Sequence, residues 1–329
     1  MTEATAEPIT HSSPETFWDV FLRRVRYTGA VAISGFLFWI IGWQLVAPPP
    51  EMGGISLIFW TNSSGLFVAL GLVLLIMAVT AISTLLVHPD SPHMGMFCAL
   101  LGLAALSIRG GDSHMLMEIA QAGGAAKYAN CLLALAVECV QWAILFLIAE
   151  MFARTLHDRF FTNIHWLTRS GPGHSTEALH KFAADRSALG VSLAVSQALK
   201  TTTLRRRIAT PLAMIGTGIL AYILLYVLLQ SPLKGQVFFA CFVAFFGSSA
   251  LTYLAFPRVP AMAFCLAVPL TAAVAYFLGR NDPGQFPGYG GAFVTCALPI
   301  DFVATGIPGA ILGYYTAIQW SLHSHDSAV

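Results

Sequence analysis

The chain has 329 residues, of which 57% are hydrophobic and only 10% charged, with a formal net charge of +1. An average soluble domain is about 25% charged. No water-soluble fold of this length hides so much apolar surface, so composition excludes a soluble protein and places the chain in a lipid bilayer. The six cysteines lie in or beside apolar runs without a CxxC pair, which excludes a disulfide framework or zinc knuckle and leaves them as packing residues.

Residues 1–20 are polar and acidic and read as a disordered cytoplasmic N-terminus without a cleavable signal. The first apolar run is too long for a signal segment and lacks an A-x-A site. A helical span needs about 20 apolar residues. Eight runs approach that length: 29–47, 65–87, 93–108, 130–152, 208–230, 236–256, 260–279 and 295–319. The third is short, and the eighth is interrupted by Pro299 and Pro308. Run length favours helices over barrel strands, which would alternate at about ten residues. The expected fold is therefore an all-α integral membrane protein of about eight transmembrane helices.

Basic loops stay cytoplasmic. With the N-terminus inside, the inner side collects Arg23, Arg24, Arg26, the basic loop 154–207 and Arg258, against only Arg109, Lys127, Lys234 and Arg280 outside. Both termini are then cytoplasmic, in what reads as a bacterial cytoplasmic membrane. The organisation is a disordered N-terminus (1–20), a first four-helix half (21–153), the loop (154–207), a second four-helix half (208–320) and a tail (321–329).

The loop is too small to bury an independent core comfortably. Gly171-Pro172-Gly173 breaks it, and Ser175 then reads as an N-cap with Glu177 in the first helical turn. Leu179, Phe182, Leu189 and Leu193 share one face, although Arg186 intrudes on it. This is expected to be an interfacial helix on the inner surface, or a docking surface for a membrane-protein partner. Topology accounts for the basic residues and no reader motif is present, so no nucleic-acid partner is expected.

The two halves share spacing. Leu22-Arg23-Arg24 leads to Thr28 and Ile33, as Leu204-Arg205-Arg206 leads to Thr210 and Ile215. Phe97-Cys98 opens the third span and Phe264-Cys265 the seventh, and each ends with an arginine followed by an aspartate: Arg109 and Asp112, Arg280 and Asp282. An even number of spans per repeat implies two parallel four-helix repeats about an axis along the membrane normal. Topology and apolar composition alone also produce part of this likeness. Under the repeat, Glu138 in span four corresponds roughly to Asp301 in span eight.

Three acids lie inside spans. Glu150 is four residues before Arg154, the favourable helical order, and reads as an interfacial residue reaching the headgroups. Glu138 lies about two turns into its span. A charge at that depth costs a few kcal/mol and should face protein or water. Gln141 shares its face. Asp301, Thr305, Gly309 and Gly313 form an i, i+4 stripe, polar at one end and small at the other, which should face the bundle. Glu138 and Asp301 are therefore expected to line a polar pocket between the halves, with Arg109 and Arg280 near its rim. Two acids there repel if both ionise, which suits a cation or proton site. Carboxyls that merely join helices are the plainer reading of the same pattern.

Metal ligands are weak: His88 and His93 bracket Pro89-Asp90-Ser91-Pro92, His114 and Glu118 share one face of a short outer helix ending at Gly123-Gly124, and His323, His325 and Asp326 lie in the tail. None matches a strong metal motif, so no metal or other cofactor is expected. HExxH, P-loop and GxSxG motifs are absent, and no histidine lies in a span to activate the serines of Gly247-Ser248-Ser249. The function expected is binding or transport of a small solute or cation. A non-catalytic scaffold or accessory subunit is the alternative, and a membrane-embedded enzyme is the distant third.

Overall fold

The computed structural model describes residues 17–46, 65–87, 92–111, 114–161, 204–257, 259–280 and 293–326. Almost all of these are helical, and none is in a strand. Residues 1–16 of the expected disordered terminus, the interfacial helix after Gly171-Pro172-Gly173 with its docking surface, and His88 lie outside them, whereas residues 17–20, expected to be disordered, are helical.

Helix α1 runs Phe17–Leu37 and continues through a π-helical turn, Phe38–Gly42, into Trp43–Val46. Then come α2 (Gly65–Val87), α3 (Pro92–Arg109), the short α4 (His114–Ala122) and the long α5 (Ala125–Phe161). Gly124 follows α4 at φ +90°, a left-handed turn that only glycine adopts cheaply. The second set is α6 (Leu204–Leu228), α7 (Lys234–Ala255) and α8 (Ala261–Arg280). A 3₁₀ turn at Phe293–Cys296 precedes a broken helix: one turn at Pro299–Asp301, a π turn at Phe302–Gly306, and α9 (Ile307–Asp326).

Among the described residues six helices are long and apolar enough to cross a membrane, and Met94–Arg109 is apolar but shorter. The last expected span is divided by its breaks. Pro299 suits the first position of a helix, where its missing N–H has no partner to lose. Pro308 cannot bond to the carbonyl of residue 304 and its ring crowds that carbonyl, so the chain widens into a π turn just before it. Two helices also outrun the expected spans. α1 begins at Phe17 and α5 ends at Phe161, because helix-forming arginines carry each rod past the apolar run.

The exposed faces explain the environment. Leu133, Val137, Val140, Ile144, Ile148 and Met151 form one continuous exposed stripe on α5. Ile208, Leu212, Ile215, Ile219 and Ile223 do the same on α6. Apolar surface in such quantity has a place against lipid tails and none in water. The opposite face of α5 buries Leu135, Cys139, Trp142, Phe146 and Ala149. Length, composition and these stripes together fit an all-α membrane protein.

Packing draws the helices together where side chains are smallest. A Cβ at Gly309 or Gly313 on α9 would collide with the backbone carbonyls of Phe242 or Phe246 on α7. Ser249 Oγ then donates across that contact to the Ala310 carbonyl at 3.0 Å. The stripe from Asp301 to Gly313 thus faces the bundle, as its spacing requires. In the first half, Gly102 on α3 sits against Ser34 of α1, and Gly95 against Thr84 of α2. α5 packs on α8, while α3 packs on α9 and the π turn before it.

Candidate functional site: a buried ion pair at the helix break

Asp301 closes the turn begun by Pro299 and is 1% exposed. Leu298 is extended, at φ −80° and ψ 157°, so its N–H points into the turn. Asp301 Oδ2 accepts that N–H at 2.8 Å, the reach-back bond of an acid three residues into a helix. Ser107 Oγ, from the last turn of α3, donates to Oδ1. Lys234 Nζ, from the first residue of α7, lies 2.8 Å from Oδ1 and 3.0 Å from Oδ2. The Lys234 side chain is 14% exposed, so it reaches inward from the edge of the bundle. A carboxylate has about four acceptor directions. Here two are met by neutral donors and two by one ammonium. Thr305 Oγ1 bonds back to the Asp301 carbonyl at 2.7 Å, steadying the π turn beneath the acid.

Glu138 is equally buried, at 1% exposure. Its Oε1 accepts the Trp142 indole N–H at 3.1 Å, one turn along α5. Gln141 is half-buried on the same helix. Tyr276 of α8 is buried within electrostatic reach of both Glu138 and Asp301, and its hydroxyl donates to the Ala297 carbonyl just before the helix break. α5 itself touches the Pro299–Asp301 turn. Both acids therefore lie within electrostatic reach of Tyr276, which itself bonds to neither.

Arg109 makes its contacts on another segment. Arg109 ends α3 with its guanidinium over Trp43 at 4.7 Å and Trp39 at 5.2 Å, and it donates to the Trp39 carbonyl. The π turn explains this acceptor. The Trp43 N–H bonds to the carbonyls of Phe38 and Ile40, not to that of Trp39. The Trp39 carbonyl lacks its usual helical donor, and Arg109 supplies one. Arg280 is half-buried at the end of α8. The cation at Asp301 is thus Lys234, which sequence reading treated only as a loop charge.

Glu150 corrects an expectation. It pairs with Arg154 at 2.7 Å as the spacing requires, but it is only 3% exposed. It lines a small void together with Cys265 and Tyr315 of α8 and α9, so the carboxylate is covered by protein. The guanidinium on its own helix lets the carboxylate stay inside.

Two voids among the described residues measure about 20 and 10 Å³, room for about one water each. Neither is lined by Glu138 or Asp301. Glu118 is exposed on α4. The side chains of His93 and His114, like the tail histidines, lie outside what the structure describes. Among the described residues no group of three or more His, Cys, Asp or Glu could hold a metal.

No family model, no curated protein and no solved structure matches this chain. Its function is therefore argued from its own residues.

Proposed function

We propose that the chain binds a small solute or cation between two four-helix halves and moves it across the bilayer, with Asp301 and Glu138 as the acids of the site. The observation that carries this reading is Asp301. It is a carboxylate 1% exposed, balanced by the Lys234 ammonium, at a break in an apolar helix. Charge inside a bilayer is costly, and it gathers where a membrane protein handles charged cargo. Broken helices are also where transporters build their sites, because freed backbone groups are available to the ligand. Thr305 belongs to the same break. Arg109 and Arg280 end the helices on the side where Lys234 begins α7, and they would set the charge met by an approaching solute.

Eight spans complete the reading, when Met94–Arg109 and the broken last helix join the six long ones. Both termini then lie in the cytoplasm of a bacterial cell. Part of the packing fits the four-plus-four duplication, although α2 packs on α3 without a matching contact of α7 on α8. α5 packs on α8, and α9 packs on α3, as a two-fold axis exchanging spans four and eight, and three and seven, requires. Likewise α1 packs on α3 as α6 packs on α8, and α2 on α5 as α7 on α9.

The test is reconstitution of purified protein into liposomes carrying an internal cation or pH indicator. Flux driven by a monovalent cation gradient, lost in Asp301→Asn and Glu138→Gln while both variants fold, is the expected result. A wild-type protein passing no cation or proton in either direction refutes the cation form of the proposal. One observation favours a scaffold or accessory subunit instead, namely the smallness of the voids between the helices. Co-purification from native membrane with a fixed stoichiometric partner would support that reading.

A further inference from the structure

We infer that the Lys234 ammonium is a tethered stand-in for the cargo, and that the site at Asp301 takes a monovalent cation which binds by displacing it. This rests on the reading of Asp301 as the acid of the site.

The acceptor geometry sets the class of ligand. Leu298 N–H and Ser107 Oγ are neutral donors, held by the helix break and by α3. They stay whatever happens at Lys234. The ammonium bridges both carboxylate oxygens, at 2.8 and 3.0 Å, as a single small cation would. When it leaves, one negative charge and two acceptor directions are exposed. One positive charge restores the balance. A divalent ion would seek six or more oxygen ligands, and two of the carboxylate's directions are already filled by donors.

Lys234 is built to leave. It is the first residue of α7, preceded by extended Leu233 and the non-helical segment 229–233. Its four-carbon stem swings about rotatable bonds without moving a helix. Its side chain is 14% exposed against 1% for Asp301, so its way out is toward the edge of the bundle. Helix stability does not select it either, because a cation at a helix N-terminus opposes the macrodipole. Lys234 is held by Asp301 and, more weakly, by the face of the Phe238 ring 5.9 Å away, and a competing cation removes the stronger of the two holds.

The experiment labels amines on the purified wild-type protein with short pulses of acetic anhydride, read by peptide mass spectrometry. Exposed Lys127 is the internal reference. Sodium or potassium chloride should raise Lys234 labelling, relative to Lys127, severalfold over tetramethylammonium chloride at equal ionic strength. In Asp301→Asn the labelling should be high and independent of the cation. A Lys234→Ala variant should regain thermal stability with methylammonium but not with tetramethylammonium. Equal labelling in all salts overturns the inference, and so does a response to magnesium alone. The outcomes separate this inference from the transport proposal. Displacement without flux means that Asp301 binds a cation it does not move, whereas flux without displacement means that the cargo binds elsewhere.

Discussion

Replacing Asp301 by Asn tests the ion pair directly. The amide keeps the shape and removes the charge. Its oxygen can still accept the Leu298 N–H, and the Ser107 hydroxyl can turn to accept from the amide NH₂. The loss therefore concentrates on Lys234, which keeps a positive charge in a site 14% exposed and without a counter-ion. Breaking a buried pair by removing one partner costs about 3–5 kcal/mol. The residual exposure of Lys234 places this case at the low end, about 3 kcal/mol. Lys234→Met should cost a similar amount, because it strands the carboxylate. The double variant removes both charges and should lose only about 1–2 kcal/mol, giving a coupling of about 4–5 kcal/mol. The assay is equilibrium unfolding in mixed micelles with a rising fraction of denaturing detergent, followed by helical circular dichroism. Single variants within about 0.5 kcal/mol of wild type, or additive losses in the double variant, would refute the reasoning.

The same unfolding assay checks three further expectations. Gly309→Ala drives a Cβ into the Phe242 backbone carbonyl and should destabilise by about 1–3 kcal/mol, whereas Gly29→Ala, with nothing within 4 Å of the new atom, should stabilise α1 by about 0.5–1 kcal/mol. Arg109→Gln removes the cation over Trp39 and Trp43 and should cost about 1–2 kcal/mol, and Arg109→Lys, which keeps the charge without the planar fork, should fall between. Tyr276→Phe leaves the Ala297 carbonyl without its donor and should cost about 1–3 kcal/mol.

Hydropathy made the helices legible because it reports a local quantity, the length of an apolar run. The expected second span, 65–87, coincides with α2. Helix ends were less legible at Phe17 and Phe161, where the rod continues beyond the apolar run. Pro299 and Pro308 announced the broken last helix, because proline acts on its own backbone. The stripe of Asp301, Thr305, Gly309 and Gly313 announced its inward face, because that periodicity is local too. The Asp301 partners were not legible. Lys234 is 67 residues away and Ser107 is 194 residues away, and no local pattern pairs them with the acid. Lys234 entered the charge count as an ordinary loop residue. Glu150 was misjudged for a related reason. Its distance from the end of the span was read correctly, but its face toward α8 and α9 depends on packing.

The π turn in α1 had no proline to reveal it, and its consequence draws the polar groups of the bundle together. Ser107 and Arg109 are two residues apart, about 200° around α3. Residues at that spacing do not share a face. α3 therefore ends by gripping two different segments, the Pro299–Asp301 turn through Ser107 and the continuation of α1 at Trp39 through Arg109. Each grip is at a π turn. At the first, widening the helix deprives the Trp39 carbonyl of its donor, and Arg109 provides one. At the second, Asp301 sits at the head of the turn and draws donors from Ser107, Leu298 and Lys234. In a bilayer a freed backbone acceptor finds no water, so a side chain from a neighbouring helix must supply the donor. The irregular helices and the polar side chains of this bundle are thus one arrangement. At the first π turn the acceptor is a backbone carbonyl and at the second it is a carboxylate, and the end of α3 supplies a donor to each.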